Sequence, residues 1–423
     1  MRANKIARNA GWLIGGRIAR MGIQLIVGLL TARYLGPANY GLISYAGAYT
    51  AFFSALCTLG IQSVLVKELL DRPGQEGEVL GTSLALQAAA GLCSVLTILG
   101  LVAVVDRGEP TTILVVALSS AGLLLHIFDL LNFWFQSRLQ SKVTALVSLA
   151  AYVVGAGYRV FLLVTGKDVV WFALAASVEY LCVGLLLLLA YRKCGGRCFT
   201  VSWVYGKTLL EKSRHFILPG LMVAVYGQTD RFMLKHMMGQ AEIGYYAIAV
   251  SLSGVWCFVL SAIIDSMYPS IVEAHQRDEE LFQRRNRQLY AVVFYLSAVV
   301  SLCFTLFGEF AVEFLYGEAY LPAVAPLKII TWYTAFSYLG VARNAWVVCK
   351  DRQKYLIYVY AAAAVSNVAL NLLLIPRWGA CGAAAASLTA QVVTTMVAPF
   401  FLTGLRENAE MMADAIRLRE IRG

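Results

Sequence analysis

Long apolar runs recur along the chain from residue 11 to residue 403. Each run has about 20 residues, the length at which an α-helix crosses the hydrocarbon core of a bilayer. The runs lack the alternation of apolar and polar residues that is typical of the strands of an outer-membrane barrel. The pattern therefore predicts twelve membrane-spanning helices, at residues 11–31, 41–65, 79–105, 113–135, 143–165, 168–190, 216–236, 244–270, 289–308, 326–348, 355–375 and 379–403.

Basic residues are distributed unevenly between the two sides that these spans define. The N-terminal segment, the even-numbered connections and the C-terminal tail hold 24 Lys and Arg residues, whereas the odd-numbered connections hold five. Lys and Arg accumulate on the cytoplasmic side of membrane proteins. We therefore expect both termini to be cytoplasmic, in a multi-pass protein of the bacterial cytoplasmic membrane.

The two halves of the chain resemble each other. Gly36–Gly41 (GPANYG) follows the first span, and Gly239–Gly244 (GQAEIG) follows the seventh, 203 residues later. An Asn-x-Trp sequence that ends at Trp134 in span 4 recurs at Trp346 in span 10, 212 residues later. Such parallel repeats relate two lobes by an axis along the membrane normal. We predict an all-α integral membrane protein with two six-helix lobes around a central cleft: lobes at 1–190 and 216–403, a cytoplasmic linker at 191–215 and a cytoplasmic tail helix at 404–423.

Composition excludes several classes of function. The chain is 59% hydrophobic and only 14% charged, with a mean hydropathy of +0.68, whereas soluble proteins carry roughly 25% charged residues. Its net charge of +10 follows from the cytoplasmic excess of Lys and Arg and does not indicate a nucleic-acid partner. The nine cysteines form no disulfide framework, and neither a phosphate-binding loop nor a metal-binding motif is present. We expect no enzymatic activity, no metal and no cofactor.

Basic side chains inside spans are candidates for a water-filled site, since each costs about 2.5–3.5 kcal/mol at mid-membrane. Arg17 and Arg20 lie three residues apart and share one helix face. A guanidinium group suits phosphate or pyrophosphate because its planar fork donates two hydrogen bonds, so this pair predicts an anionic substrate. The alternative is structural pairing with a carboxylate on a neighbouring helix. The other candidates for this cationic cleft are Arg159, Arg231 and Arg343, and Arg343 could instead be an anchor at the membrane interface.

Acidic side chains inside spans are candidates for coupling to a proton or sodium gradient. Glu179 lies at the centre of span 6 and is the first candidate, unless it forms an ion pair with Arg159 or Arg17. The other ion-coupling candidates are His126, Asp129 and Asp230. His126 and Asp129 are one helical turn apart, which suits either a proton relay or an ordinary helix contact.

Glycines mark the outer connection between the first two helices of each half. They allow backbone conformations that other residues rarely adopt. We predict that these corners are where the lobes part or close during a transport cycle. The residues are Gly36, Gly41, Gly239 and Gly244.

Three stretches carry a family resemblance: Ala32–Leu42 (ARYLGPANYGL), Asp230–Leu234 (DRFML) and Gly244–Ala247 (GYYA). With these stretches and twelve spans, the chain resembles the multidrug/oligosaccharidyl-lipid/polysaccharide exporter superfamily. Within that superfamily it looks like the polysaccharide-unit flippases that serve O-antigen, capsule and related glycans.

This resemblance implies two six-helix lobes around a cationic cavity and carries a substrate role over to Arg17, Arg20 and Arg231. It implies alternating-access transport of an undecaprenyl-pyrophosphate-linked oligosaccharide from the inner to the outer leaflet, with ion coupling in several members. The implied partners are this substrate, membrane lipids, a glycan polymerase and glycosyltransferases, with the protein itself a monomer. The alternatives are a multidrug or peptidoglycan-precursor exporter of the same fold, a passive scramblase, or a scaffold for glycan assembly; relatives that flip the peptidoglycan precursor have two further C-terminal helices.

Overall fold

The computed structural model describes residues 2–417, and the side chains of residues 2–14 and 16–19 lie outside the described part. This part of the chain is helical, with no strand in residues 2–417. The helices are α1 Arg2–Cys57, α2 Gln62–Asp71, α3 Glu76–Val105, α4 Pro110–His126, α5 Leu130–Ser137, α6 Ser141–Val164, α7 Val169–Ala173, α8 Ala175–Lys193, α9 Trp203–Met237, α10 Gln240–Gly254, α11 Cys257–Arg277, α12 Glu279–Tyr316, α13 Val324–Cys349, α14 Leu356–Trp378, α15 Ala380–Val392, α16 Ala398–Phe401 and α17 Arg406–Ile416.

Nine segments of the described chain are long and apolar enough to cross a membrane. One of them, Arg20–Asp71, covers the first two predicted spans. Two further predicted spans lie in α9 and α13. The all-α membrane fold predicted from the sequence is confirmed, and these segments are compatible with twelve spans.

Helix α1 contains two predicted spans and bends between them. Gly36 has φ 70° and ψ 172°, outside the helical region, and Pro37 follows it. A proline has no N–H to donate, so it fits the first turn of the helix that starts there. The bend separates spans 1 and 2 without a loop.

Two compact units divide the chain. Unit 1 comprises Met1–Leu35 and Leu42–Ala224, and unit 2 comprises Gly36–Gly41 and Val225–Gly423. The boundary falls inside α9, so the residues that the sequence assigns to a linker, 191–215, are part of unit 1. The corner at Gly36–Gly41 is part of unit 2 although the rest of α1 belongs to unit 1.

The first turns of α9 complete one core of unit 1. Tyr205 and Leu209 are buried with apolar side chains from α2 and α3. Glu68 on α2 is buried, and it accepts hydrogen bonds from the Tyr205 hydroxyl (3.0 Å) and from Lys212 Nζ (2.6 Å). Burial and the nearby Glu68 carboxylate raise the pKa of Tyr205 above its ordinary value, so its hydroxyl remains a donor. The predicted linker is therefore a packed element.

The tail helix α17 has the corresponding place in unit 2. Met412 is fully buried in a core that includes Phe282 and Leu289 of α12. Asn408 on α17 donates a hydrogen bond to the Tyr290 hydroxyl (2.7 Å), and both residues are buried. The apolar face of the predicted tail helix thus packs on protein.

A charged bracket joins the third and fourth spans of each unit at the end predicted to be cytoplasmic. In unit 1, Glu76 at the start of α3 accepts hydrogen bonds from Trp134 Nε1 (2.9 Å) and from Arg138 Nη2 (2.7 Å). In unit 2, Glu279 at the start of α12 pairs with Lys350 Nζ at 2.6 Å. These residues are related by the 203- and 212-residue offsets of the sequence repeat, so the repeat extends to a specific contact.

Candidate functional site

A buried carboxylate and two guanidinium groups meet inside unit 1. Glu179 on α8 is 7% exposed. Its Oε1 lies 3.1 Å from Arg20 Nη2 on α1, and its Oε2 lies 3.6 Å from Arg159 Nη2 on α6. Burying one partner of such an arrangement alone would cost several kcal/mol, so the three charges are interdependent. The structure brings together three predicted site residues from three helices.

Local packing positions this cluster. Tyr152, two turns before Arg159 on α6, has its ring 5.0 Å from Arg20 Cζ. Gly155 faces the cluster, since a Cβ there would lie 3.4 Å from Glu179 Cβ and 3.6 Å from Arg159 Nη1. A larger residue at position 155 would push α8 away from α6. The side chain of Arg17 lies outside the described residues.

His126 and Asp129 form a second pair in the same unit. His126 Nε2 lies 3.3 Å from Asp129 Oδ2, one turn along the chain. The His126 ring meets the Tyr180 ring edge to face, with centroids 5.0 Å apart. The Asp129 carboxylate is close enough to Arg20 to interact with it electrostatically. The His126–Asp129 pair and the Glu179 cluster therefore belong to one network of charged and polar side chains.

A cavity of about 290 Å³ lies in unit 1 beside this network. Its lining residues include Arg159 and His126. The remaining wall combines hydroxyl-bearing side chains, aromatic rings and small apolar residues. A ligand in this cavity would lie close to the basic residue Arg159.

A different buried carboxylate lies in unit 2. Asp230 on α9 is 4% exposed. Its Oδ1 accepts hydrogen bonds from Asn367 Nδ2 (3.1 Å) and Asn371 Nδ2 (2.6 Å), and its Oδ2 accepts from Tyr246 and Ser387. Every one of these donors is uncharged, and among the described side chains (residue 15 and residues 20–417) no cationic group forms a salt bridge with Asp230.

Amide and hydroxyl oxygens surround this carboxylate. Asn371 Oδ1 is buried and has no hydrogen-bond partner within the described part of the chain. Asn367 Oδ1 accepts from Asn371, and Ser387 Oγ lies 3.3 Å from Asn367 Nδ2. Oxygen ligands of this kind suit a hard cation, and rotation of the amides would turn their oxygens toward it.

The remaining predicted arginines, Arg231 and Arg343, lie in unit 2 and do not join a cluster of site residues. Arg231 Nη1 donates to Gln228 Oε1, and its buried Nε has no partner among the described residues. Arg343 is 1% exposed and donates to the carbonyl oxygen of Thr394 at 3.2 Å. In this structure the Arg343 side chain is therefore buried against other parts of the protein.

The corner glycines make reciprocal contacts within unit 2. A Cβ on Gly41 would overlap the carbonyl oxygen of Gln240, and a Cβ on Gly244 would overlap that of Pro37. Gly41 and Gly244 are 203 positions apart, and so are Pro37 and Gln240. The two contacts are therefore repeat equivalents of each other. Gly239 also has a positive φ, of 104°, at the start of α10. Only glycine fits all of these requirements.

Sequence reasoning missed the neutral groups around Asp230. Asn367 and Asn371 are one turn apart in an otherwise apolar span. Two amides on one face of such a helix must find buried partners, because an unsatisfied polar group in lipid costs several kcal/mol. The spacing of these two amides is therefore the feature of the sequence that indicates a polar contact with another helix.

Solved structures show what this fold is similar to. An inward-facing multidrug resistance MATE family transporter of the MOP superfamily matches with a TM-score of 0.68 and 15% identity, over 94% of this chain and 99% of the other. The Lipid II flippase MurJ, in an inward closed conformation, matches with a TM-score of 0.69 and 12% identity, over 97% and 91%. A MOP superfamily transporter from Pyrococcus furiosus matches with a TM-score of 0.67 and 13% identity, over 97% and 96%.

Sequence comparisons address the family directly. A search of curated proteins gives no significant match. A model of the family described as polysaccharide biosynthesis protein matches residues 6–275, which is more than half of the chain. The resemblance inferred from the corner motifs is thereby confirmed. The chain belongs to the polysaccharide biosynthesis protein family and has the fold of the transporters of the MOP superfamily.

Proposed function

We propose that this membrane protein is a flippase that moves an undecaprenyl-pyrophosphate-linked oligosaccharide from the inner to the outer leaflet by alternating access. Its family and its fold support a transporter of this class, and one structure with the same fold is a flippase for Lipid II. The observation that carries the proposal is the contact of Glu179 with Arg20 and Arg159 beside the unit 1 cavity.

The geometry suits exchange of one anion for another. The Arg20 side chain is 48% exposed although it touches a buried carboxylate, so a ligand can approach this side chain. A pyrophosphate can form bidentate hydrogen bonds with such a group. The pyrophosphate of the cargo would compete with Glu179 for Arg20 and would weaken the Arg20–Glu179 ion pair. This ion pair would form again after the cargo is released. Binding and release then need no permanently unpaired charge.

An anionic head group is favoured over the cargo of a drug exporter for the same reason. An apolar or cationic drug gains nothing from two guanidinium groups that already hold a carboxylate. A pyrophosphate gains charge-assisted hydrogen bonds, which are roughly twice as strong as neutral ones. Discrimination between these cargo classes would therefore reside in α1 and α6.

The Asp230 group supports ion coupling over passive scrambling. A buried carboxylate with neutral donors can take up a proton or a sodium ion and thereby lose its net charge. Coupling would follow if the two conformations of the transporter bind that ion with different affinities. A passive scramblase has no use for such a carboxylate.

Flipping can be tested in vesicles that contain the purified protein and a fluorescent undecaprenyl-pyrophosphate-linked sugar. Membrane-impermeant dithionite reports the fraction of label in the outer leaflet. We expect the double variant Arg20→Ala/Arg159→Ala to reduce the rate at least tenfold, because both donors to the pyrophosphate are lost. The corresponding double Lys variant should recover part of the rate, since it restores charge without the planar fork.

Arg107→Ala provides a matched control, since Arg107 is exposed in a connection outside the network. It should flip the labelled lipid at the wild-type rate. Normal flipping by the double Ala variant, with correct insertion, would show that the cluster is structural and would contradict the proposal.

A further inference from the structure

Span 12 contains one π-helical turn, Val393–Val397, between α15 and α16. In this turn the Ala398 N–H donates to the carbonyl oxygen of Val393, five residues earlier, and not to that of Thr394, four residues earlier. Such turns are rare, and they are frequently found at functional sites and at bends in helices. The turn therefore marks a point where span 12 departs from a regular α-helix.

The turn leaves the carbonyl oxygen of Thr394 without a backbone donor. In an α-helix this oxygen would accept from Ala398, but the Ala398 N–H is bound to Val393. In a continued π-helix it would accept from residue 399, which is Pro399 and has no N–H. Thr394 is 3% exposed, and an unsatisfied carbonyl is costly inside a membrane protein. The Thr394 carbonyl therefore needs a donor from another helix.

Arg343 on α13 supplies this donor. Its side chain is almost completely buried, and its Nη1 donates to the Thr394 carbonyl oxygen at 3.2 Å. Its Nε has no hydrogen-bond partner, and no carboxylate forms a salt bridge with Arg343 among the side chains that the structure describes. A buried guanidinium without a carboxylate is costly, so charge pairing does not explain this arginine. The N–H that Pro399 lacks does explain it.

The two sides of the turn are attached to different parts of unit 2. Before the turn, Ser387 donates to Asp230, and Gln391 Oε1 accepts from the Tyr226 hydroxyl at 2.8 Å. Asp230 and Tyr226 both lie on α9. After the turn, the chain leads through α16 into α17, which packs in the core formed with α12. A movement of α9 relative to that core would therefore have to be accommodated at the turn.

The turn is held against α13 at two points. Thr395 Oγ1 donates to the Phe336 carbonyl oxygen at 3.0 Å, and Arg343 binds the neighbouring Thr394 carbonyl, as described above. Gln391 Nε2 in turn donates to Thr395 Oγ1 at 3.2 Å. A change in the helical register of the turn would therefore also change the contacts of Gln391, which is bonded to α9.

We infer that this turn is a hinge in span 12 that changes between the π and the α register during transport, and that Arg343 is the positioning residue that stabilises the π register. In the α register the Ala398 N–H would bond to the Thr394 carbonyl, which would then no longer depend on Arg343. A contact that is stronger in one of two states shifts the equilibrium toward that state. The inference rests on the proposed function, because it assigns the hinge to the cycle of a flippase.

Amide hydrogen exchange tests the hinge without any cargo. The probe is the purified protein in nanodiscs, and mass spectrometry follows the amides of residues 393–402 and of the preceding helix, residues 380–392. We expect protection factors in residues 393–402 to be at least tenfold lower. Pro399→Ala supplies the missing N–H and should raise this protection at least fivefold, because the Thr394 carbonyl then has a backbone donor in either register.

Flipping and thermal unfolding should be measured on the same variants, with the labelled lipid described above. Arg343→Met should lower the midpoint of thermal unfolding and reduce flipping at least tenfold. Adding Pro399→Ala to Arg343→Met should restore the midpoint, because the new N–H replaces the guanidinium, but it should leave flipping at least fivefold below the wild-type rate. Pro399→Ala alone should slow flipping about fivefold without lowering the midpoint, since a continuous helix no longer gives way at this point.

Two matched controls accompany these variants. Arg377→Met makes the same change at an exposed position of α14 and should keep both the midpoint and the flipping rate. Pro326 lies in the first turn of α13, where an N–H has no helical acceptor. Pro326→Ala should therefore fail to restore the midpoint of Arg343→Met.

The outcomes separate the hinge from a packing contact and from the proposed function. If the Arg343→Met/Pro399→Ala variant recovers both the midpoint and the flipping rate, the contact is structural only and the hinge is refuted. Equal protection of residues 393–402 and 380–392 in the wild-type protein also refutes the hinge, whatever the flipping rates. If the folded wild-type protein does not flip the labelled lipid, the proposed function is contradicted, and with it the role of the turn in transport.

Discussion

The two units hold a buried carboxylate in opposite ways. Glu179 in unit 1 has guanidinium groups at 3.1 and 3.6 Å, whereas Asp230 in unit 2 is held by two amides and two hydroxyls. In unit 1 the negative charge is balanced by groups that an anionic cargo can take over. In unit 2 the donors to the charge among the described residues are neutral dipoles, which a small cation could replace. From this comparison we propose cargo exchange in unit 1 and ion coupling in unit 2.

The largest expected effect separates these two roles. Asp230→Asn removes the charge that an ion would neutralise and keeps the shape of the side chain. We expect it to abolish the dependence of flipping on a proton or sodium gradient and to lower gradient-driven flipping about 10–100-fold. Glu179→Gln should keep the gradient dependence and should bind the pyrophosphate lipid more tightly, because the competing carboxylate is gone. Flipping in vesicles with and without each gradient provides the measurement.

Asp265→Asn is the control for the Asp230→Asn variant, since Asp265 is an exposed carboxylate on α11. It should retain gradient dependence and rate. If Glu179→Gln removes the gradient dependence and Asp230→Asn does not, coupling belongs to unit 1, as the sequence first predicted.

A smaller effect is expected at the reciprocal corner contacts. Gly41→Ala or Gly244→Ala places a methyl group against a backbone carbonyl that cannot move freely. Overpacking of this kind costs typically about 1–3 kcal/mol. If the contact forms and breaks in the cycle, flipping should fall about tenfold in either variant, and the double variant should be less than additive because both lose one shared contact. Gly100→Ala, with no neighbouring atom within 4 Å, is the control.

Rates and thermal unfolding should be measured together in these corner variants. Additive losses in the double variant would show two independent packing defects. A wild-type flipping rate in both single variants would show that the close approach is not needed for transport.

The smallest expected effect is a difference in stability between the two charged brackets. Trp134 donates its Nε1 proton to Glu76 at 2.9 Å, whereas the Nε1 of buried Trp346 has no partner among the described residues. Replacing each Trp by Phe should therefore destabilise unit 1 more than unit 2, by about 1.5–3 kcal/mol for a hydrogen bond to a charged group. The midpoint of thermal unfolding in detergent measures the difference, and equal shifts would contradict it.

The sequence was sufficient for the architecture because its signals are strong and local. Apolar runs of membrane-spanning length, the bias of Lys and Arg between connections and the two repeated motifs each follow from a general physical constraint. The positive φ at Gly36 and at Gly239 is also a local requirement. These features need no knowledge of which helices touch.

The candidate site depends on contacts between distant segments, and there the sequence left alternatives open. It named Arg159 as one partner for Glu179 but could not choose between substrate contact and ion pairing for Arg20. The structure shows Arg20 paired and partly exposed at once. Asp230 and the amides that hold it are 137 and 141 positions apart, a separation that no local pattern reveals. The buried position of Arg343 likewise depends on neighbours from other helices.

The packing of α17 has a consequence for how the protein is made. The core of unit 2 that contains Phe282 and Leu289 is completed by Met412, which the ribosome adds after all twelve predicted spans. The corresponding element of unit 1, the start of α9, is added after only six. Domains generally fold in order as the chain emerges. Unit 1 can therefore complete its core while unit 2 is still being synthesised. The core of unit 2 is complete only after α17 has been added. Until then the apolar surface of that core is accessible to the cell's quality-control machinery.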